Sequence, residues 1–150
     1  MEYLSRIKEV TLRSEPILQD RENIRGLLSS AGVFNAREID VAIELIDDRI
    51  EKGNLSEYSF LFAELNTDIL GYISYGPITL TENRFDIYWI CVGKNVQQGG
   101  VGSMLISNAE HNIIGKDGYS VFVETSSKVS YKPAREFYKK HGYVLVASVP

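Results

Sequence analysis

FDIYWICVGKNVQQGGVGSMLISNAE, running from Phe85 to Glu110, joins a buried strand, a short turn, a glycine-rich loop and an amphipathic helix. Gly99, Gly100 and Gly102 let the loop backbone curl until successive N–H groups point at one spot. The helix that follows adds its unsatisfied first-turn N–H groups and the positive end of its dipole. A loop of this kind binds an anion, and a pyrophosphate is the expected guest.

Residue identity excludes two other phosphate loops. A nucleoside-triphosphate loop ends in Gly-Lys-Ser/Thr, whereas Gly102 is followed by Ser103 and Met104, with no lysine to reach a terminal phosphate. A dinucleotide loop needs a third glycine where this chain has Leu105. What remains is Gln97-x-x-Gly100-x-Gly102 after the apolar run Ile87 to Val92. This arrangement resembles the acyl-CoA pyrophosphate loop of the GNAT superfamily of N-acyltransferases, which commonly reads Q/R-x-x-G-x-G/A between a strand and a helix. A second segment, YKPAREFYKKHGY from Tyr131 to Tyr143, strengthens the likeness. Pro133 suits the opening of a helix and Gly142 its stop. Family members typically close with a short helix containing A-x-x-F-Y and ending in G-F or G-Y, as Ala134, Phe137, Tyr138, Gly142 and Tyr143 do here. Many members carry Asn three residues before that alanine, where this chain has Tyr131. The likeness runs from Phe60 to Tyr143, and the first sixty residues match in their order of elements.

The pattern of apolar residues supports that order. Ser5 to Leu12 reads as a first strand. Pro16 to Ala31 reads as a helix with Ile17, Ile24, Leu27, Leu28 and Ala31 on one side and Gly32 as its stop. Asn35 and Glu38 form a capping box that opens a helix through Lys52, with a stripe at Ile39, Ala42, Ile43, Ile46 and Ile50 and a stop at Gly53. Tyr58 to Leu65 and Ile69 to Tyr75 read as a hairpin turning at Asn66-Thr67-Asp68 and broken by Gly76-Pro77. Phe85 to Val92 is a strand, and Val101 to Ile114 a helix with Val101, Leu105, Ala109 and Ile113 inward. Tyr119 to Thr125 is a strand, a helix starts at Pro133, and Tyr143 to Val149 is a sixth strand. The expected architecture is one α/β domain over residues 1–150, a mixed and mostly antiparallel sheet flanked by helices in the order β-α-α-β-β-β-α-β-α-β. GNAT members usually add a seventh strand beside the fifth. The segment after Tyr143 suffices for a sixth strand only, so an unpaired sheet edge is expected, covered by another copy or a rearranged segment.

Composition narrows the class. At 150 residues the chain buries a substantial core without staples. No apolar run is long enough to span a bilayer, and Met1-Glu2-Tyr3-Leu4-Ser5-Arg6 is unlike a signal peptide. One cysteine, Cys91, excludes an intrachain disulfide framework, and a reducing cytoplasm is the simple setting. A net charge of −4 argues against nucleic acid as a partner. Residues 1–60 hold 12 Asp/Glu against 8 Lys/Arg, and the remainder holds 8 of each. That excess reads either as a solvated helix face or as an acidic wall near a site for a cationic amine. His111 and His141 read as surface residues, and no residues have metal-ligand spacing.

The resemblance implies an N-acetyltransferase that uses acetyl-CoA, without a metal, to acylate a small-molecule or peptide amine by direct attack in a ternary complex. It assigns cofactor binding to Gln97, Gln98, Gly99, Gly100, Val101, Gly102 and Ser103, and to Ala134 on the last helix. Ile90, Cys91 and Val92 would carry the thioester through backbone groups, because the family's strand splays there from its neighbour, and an N–H aimed at the developing oxyanion would stabilise it. Gly93 suits a bulge or a strand end equally. Tyr138 would be the general acid at the CoA sulfur, or a half-buried aromatic packing helix on sheet. Asp86 would be the general base, or an ordinary charge at a strand start beside Arg84, with Glu124 in reserve. Strand alternation places Asp86, Tyr88, Ile90 and Val92 on one face, making Tyr88 and Glu124 candidates for acceptor contact, and Phe85 and Trp89 on the other. A cysteine within a buried strand is a small core residue, so Cys91 is not read as a nucleophile. The competing reading is a non-catalytic acyl-CoA sensor that keeps the loop and lacks an acceptor.

Overall fold

A computed structural model of the chain describes residues 6–97 and 99–150, so the start of the expected first strand at Ser5 and the cofactor contact expected of Gln98 lie outside the described residues. A single turn of 3-10 helix at Ile7–Glu9 leads into β1 (Thr11–Arg13), which is shorter and later than expected. Helices α1 (Asp20–Ala31) and α2 (Ala36–Lys52) follow, then β2 (Ser59–Leu65), β3 (Asp68–Pro77) and β4 (Arg84–Val92). Helix α3 (Val101–Gly115), strand β5 (Ser120–Val123) and helix α4 (Lys132–Lys140) complete the order. The five strands form one sheet, β1-β2-β3-β4-β5, antiparallel except for the parallel pair β4–β5.

Local chemistry explains most boundaries. Asn35 accepts from the Glu38 N–H at 2.8 Å while the Glu38 carboxylate accepts from the Asn35 N–H at 2.9 Å, so the capping box at α2 forms as expected. Helix α1 starts at Asp20 rather than near Pro16, because the fully buried Asp20 carboxylate is committed to Arg13 at 2.7 and 2.9 Å and to the Ile17 N–H at 2.8 Å. Ile17 is therefore exposed, as is Ile50 at the far end of the α2 stripe. The β2–β3 hairpin turns on Asn66-Thr67, with Leu65 facing Asp68 and Asn66 in the left-handed conformation at φ +58°. Strand β3 runs through Gly76 to Pro77, because Gly76 pairs with Asp86 and leaves room that a Cβ, 2.4 Å from the Glu57 carbonyl oxygen, would fill. At the end of α4, Gly142 takes φ +86° while its N–H donates to the Lys139 carbonyl and that of Tyr143 to the Tyr138 carbonyl, each at 3.0 Å.

Two apolar layers enclose the sheet. Val101, Leu105, Ala109 and Ile113 of α3 are buried against Leu61, Ile73, Phe85 and Ile87 on one face. Ile24, Leu28, Ile39, Ile43 and Ile46 cover Phe60, Phe62, Tyr72 and Cys91 on the other. The expected sixth strand does not form. Residues 144–150 carry no regular structure and are exposed, Leu145 and Val149 at 86% and 87%. A strand exists only where a neighbour satisfies its backbone, and no described strand pairs with this segment. Among the described residues, no helix is long and apolar enough to cross a membrane.

Candidate active site

The site is organised by the way β4 leaves β5. The two strands pair from Arg84–Ser120 to Ile87–Val123 and then part, while β4 continues through Val92 against β3 alone. Among the described residues, no strand lies beside that edge of β4 beyond Ile87. This is the splay expected at Ile90, Cys91 and Val92. A bulge marks the parting point: Ser74 faces Trp89 and Tyr75 faces Ile87, so Tyr88 is an extra residue on β4. Gly93, the other candidate for a bulge, instead closes the strand by donating to the Leu70 carbonyl at 2.8 Å.

The bulge corrects the expected alternation. Phe85, Ile87, Ile90 and Val92 pack with the α3 and α4 layer, and Trp89 and Cys91 with the α1 and α2 layer. Tyr88 joins the second group, its ring 5.4 Å from that of Tyr58 and its hydroxyl donating to the Pro77 carbonyl at 3.2 Å. Asp86, between Phe85 and Ile87, points to the same side. The four residues expected on one face are thus divided between two, and Phe85 and Trp89 are on opposite sides.

Asp86 is half-buried, and its carboxyl is raised above the usual range, first by burial and then by the charge of Glu124 just beyond β5. Tyr88 is pushed up to about 12 by burial, with Asp86, Tyr58 and Glu57 adding to the rise. Burial and the neighbouring Glu124 charge make Asp86 a stronger base than an isolated aspartate. Part of the acidic excess of the first sixty residues lies elsewhere: Asp47 pairs with Arg21 at 2.9 Å, Asp40 with Arg25 at 3.4 Å and Asp48 with Lys52 at 2.8 Å. Those three acids are held in ion pairs on the helices, while Glu57, also from the first sixty residues, lies close enough to Tyr88 to raise its phenol.

Tyr138 is on the opposite face. Its ring packs against Phe137 at 5.7 Å and Tyr143 at 5.9 Å, and burial pushes its phenol up to about 12. It therefore holds its proton at neutral pH and can serve as a proton donor. Among the described residues its hydroxyl has no hydrogen-bond partner, so the proton is available to an incoming group. Cys91 is buried, its thiol donates to the Leu27 carbonyl at 3.7 Å, and burial raises it to about 11, which keeps it protonated and unreactive.

Helix α3 begins after Gly100 at φ +91°, and no N-cap side chain occupies its first-turn N–H groups. Gly102 has a different requirement: a Cβ there would be 3.0 Å from the Phe137 ring and 3.6 Å from Val92, so its absence lets α4 dock. The Gln97 amide donates to the Val92 carbonyl at 3.4 Å, tying the loop to the strand end. Val101 is buried, Gly99 is half-buried with its N–H on the Val96 carbonyl at 3.1 Å, and Ala134 is half-buried on α4. Ser103 Oγ lies 3.0 Å from His141 Nε2. His141 is thus half-buried between α3 and α4, contrary to the surface position expected, whereas His111 is exposed. A separate cleft of about 780 Å³ lies between α1, the β2–β3 turn and Gly93 to Val96, and touches none of Tyr138, Asp86 or Glu124. Among the described residues no group of His, Cys, Asp and Glu could hold a metal.

A family model for the GNAT acetyltransferase domain matches residues 56–145. A crystal structure from Desulfovibrio desulfuricans, assigned to the GNAT family of acetyltransferases, is 36% identical over 92% of this chain and 87% of its own, with a TM-score of 0.89. PaiA N-acetyltransferase from Thermoplasma acidophilum, solved with coenzyme A, is 15% identical over 93% of this chain and 92% of its own, with a TM-score of 0.75. An aminoglycoside acetyltransferase from an uncultured soil metagenomic sample, solved with sisomicin, is 18% identical over 97% of this chain and 95% of its own, with a TM-score of 0.74. The last two share the fold. No curated protein sequence matches significantly. The chain belongs to the GNAT family of acetyltransferases, enzymes that move an acetyl group onto an amine.

Proposed function

We propose that this chain, acting as one acyltransferase domain in a reducing cytoplasm, transfers the acetyl group of acetyl-CoA to an amine by direct attack in a ternary complex. The parting of β4 and β5 after Ile87 and Val123 carries this reading. It opens a slot with the uncapped end of α3 near one end, Tyr138 on one face, and Asp86 and Glu124 on the other. Pyrophosphate binds the loop from Gln97 to Ser103, and the pantetheine arm follows the free edge of β4, so the thioester reaches Ile90 to Val92 between the two faces.

The amine approaches from the Asp86 side. An alkylammonium with a pKa near ~10.4 is only about one part in a few thousand neutral at pH 7, so a base beside it has a real task. Asp86 takes one proton of the ammonium, directly or through one water, the neutral nitrogen then bonds to the carbonyl carbon, and its surplus proton passes to solvent as the tetrahedral intermediate collapses. The C–S bond breaks in that collapse, and the thiolate takes the phenolic proton of Tyr138. A donor near ~12 protonates an alkyl thiolate only because the thiolate is unstable in the water-poor space that Phe137, Tyr143 and Val92 enclose. The test is a thiol-release assay with acetyl-CoA and a panel of primary amines, in which at least one amine turns over. Tight acetyl-CoA binding without turnover of any amine would favour the sensor reading.

A further inference from the structure

Tyr131 stands where many family members have asparagine, and it makes a contact that residue could not. Its ring meets Phe34, in the α1–α2 loop, edge-on at 6.5 Å and 84°, and its hydroxyl donates to the Val33 carbonyl at 3.4 Å. Phe34 in turn meets Trp89 edge-on at 5.3 Å and 67°. Trp89 follows the Tyr88 bulge, in the stretch of β4 that no longer has β5 beside it, and it packs on the same face as Tyr88. Three separate segments therefore bring aromatic rings together over the open part of β4. All three are half-buried rather than sealed in the core. An edge-on pair uses the face of one ring and the edge of the other, which leaves π-faces unstacked.

We infer that Phe34, Trp89 and Tyr131 form the wall of the acceptor site, and that the site selects an ammonium carried on an apolar or aromatic arm, such as an arylalkylamine. This rests on the acetyl-transfer reading above. With the nitrogen held at Asp86, an arm laid along the same face of β4 runs toward Trp89, just past the Tyr88 bulge. Aromatic faces attract the cation and the hydrocarbon attached to it. They offer few hydrogen-bond partners, so a polyhydroxylated amine would bury hydroxyls without compensation. Arm polarity, and not charge alone, is what the wall discriminates.

Phenethylamine, ethanolamine and spermidine are the probes, assayed by thiol release with acetyl-CoA. Phenethylamine should show a KM about tenfold below that of ethanolamine or spermidine. Phe34→Leu keeps apolar volume without a ring, and Tyr131→Phe keeps the ring without the tie to Val33. Phe34→Leu should raise the phenethylamine KM about fivefold while kcat, the acetyl-CoA KM and the ethanolamine KM stay within twofold. Tyr131→Phe should have a smaller effect in the same direction. Trp89 is the only tryptophan in the sequence, so its fluorescence reports binding without chemistry. With CoA present, phenethylamine should shift that emission saturably, and ethanolamine should not. A fluorescence shift without turnover of any amine would overturn catalysis and leave the wall standing. Turnover that favours ethanolamine or spermidine, or that is indifferent to Phe34→Leu, would overturn the wall and leave catalysis standing.

Discussion

Tyr138 and Asp86 answer to different tests because the proposed mechanism gives them different protons. Tyr138→Phe keeps the ring packed on Phe137 and Tyr143 and removes only the donor, so kcat should fall about 100-fold with the acetyl-CoA KM within twofold. An unchanged kcat would return Tyr138 to a packing role. Asp86 must be ionised to act, and its carboxyl is raised by burial and Glu124. Wild-type kcat should therefore be lost as pH falls through that raised value, and Asp86→Asn should lower kcat about 100-fold and recover as more amine is neutral at higher pH. The pH–rate profile of both proteins checks this. Asp20 illustrates the opposite shift in a structural role. Burial alone would raise its carboxyl, but hydrogen bonds from Arg13, Ile17 and Asn23 outweigh burial and lower it. A depressed folded-state carboxyl stabilises the fold above its unfolded value and loses that contribution as pH falls through the folded value. Asp20→Asn should cost about 3 kcal/mol at pH 7 and progressively less as pH falls through the folded-state value, measured by urea unfolding across that range.

At the level of elements, the approach of α4 to the start of α3 joins the proposed cofactor loop to the proposed general acid. Phe137 lies over Gly102, and His141 reaches Ser103, so the helix that carries Tyr138 is docked on the turn that would hold pyrophosphate. Gly100 is needed for its φ of +91°, which a β-branched residue adopts at high cost. CoA at ~100 times its Kd should stabilise the wild type by about 2.7 kcal/mol, more than ATP or NAD at matched concentration. Gly100→Val should abolish that thermal shift while circular dichroism shows a folded protein. Unchanged CoA affinity in the variant would remove the loop from the binding site. The Tyr88 bulge is the other decisive element: it moves Ile90 and Val92 to the Tyr138 side and leaves Asp86 and Tyr88 on the opposite face.

For the whole molecule, the sheet edge matters. Strand β5 pairs with β4 on one side and, among the described residues, with no strand on the other. Val144, Leu145, Val146 and Val149, in the segment after α4, are exposed. An open edge with exposed apolar side chains invites pairing with a second chain. Sedimentation at rising concentration should show self-association, and Leu145→Lys should weaken it. A concentration-independent monomer would show that the edge is protected in another way.

Much of this protein could be read from the order of its residues, for local reasons. The capping box at Asn35 and Glu38, the stripe on α3, the glycine loop and the Gly142 stop each depend on neighbours a few residues away, so spacing alone predicts them. The two motifs, from Gln97 to Gly102 and from Ala134 to Tyr143, were enough to identify the family. Other features depend on partners far along the chain. The Tyr88 bulge arises from the register of β4 against β3, and it overturned an alternation that period-two reasoning assumes to be unbroken. The Tyr131 contact with Val33 spans the length of the domain, and its one signal in the sequence was the departure from asparagine. Residues 144–149 have a strand's composition but no neighbouring strand, because β-structure requires a hydrogen-bonding partner that composition cannot supply. Side-chain pattern determined which elements could form, and tertiary pairing decided which of them did and which face each site residue took.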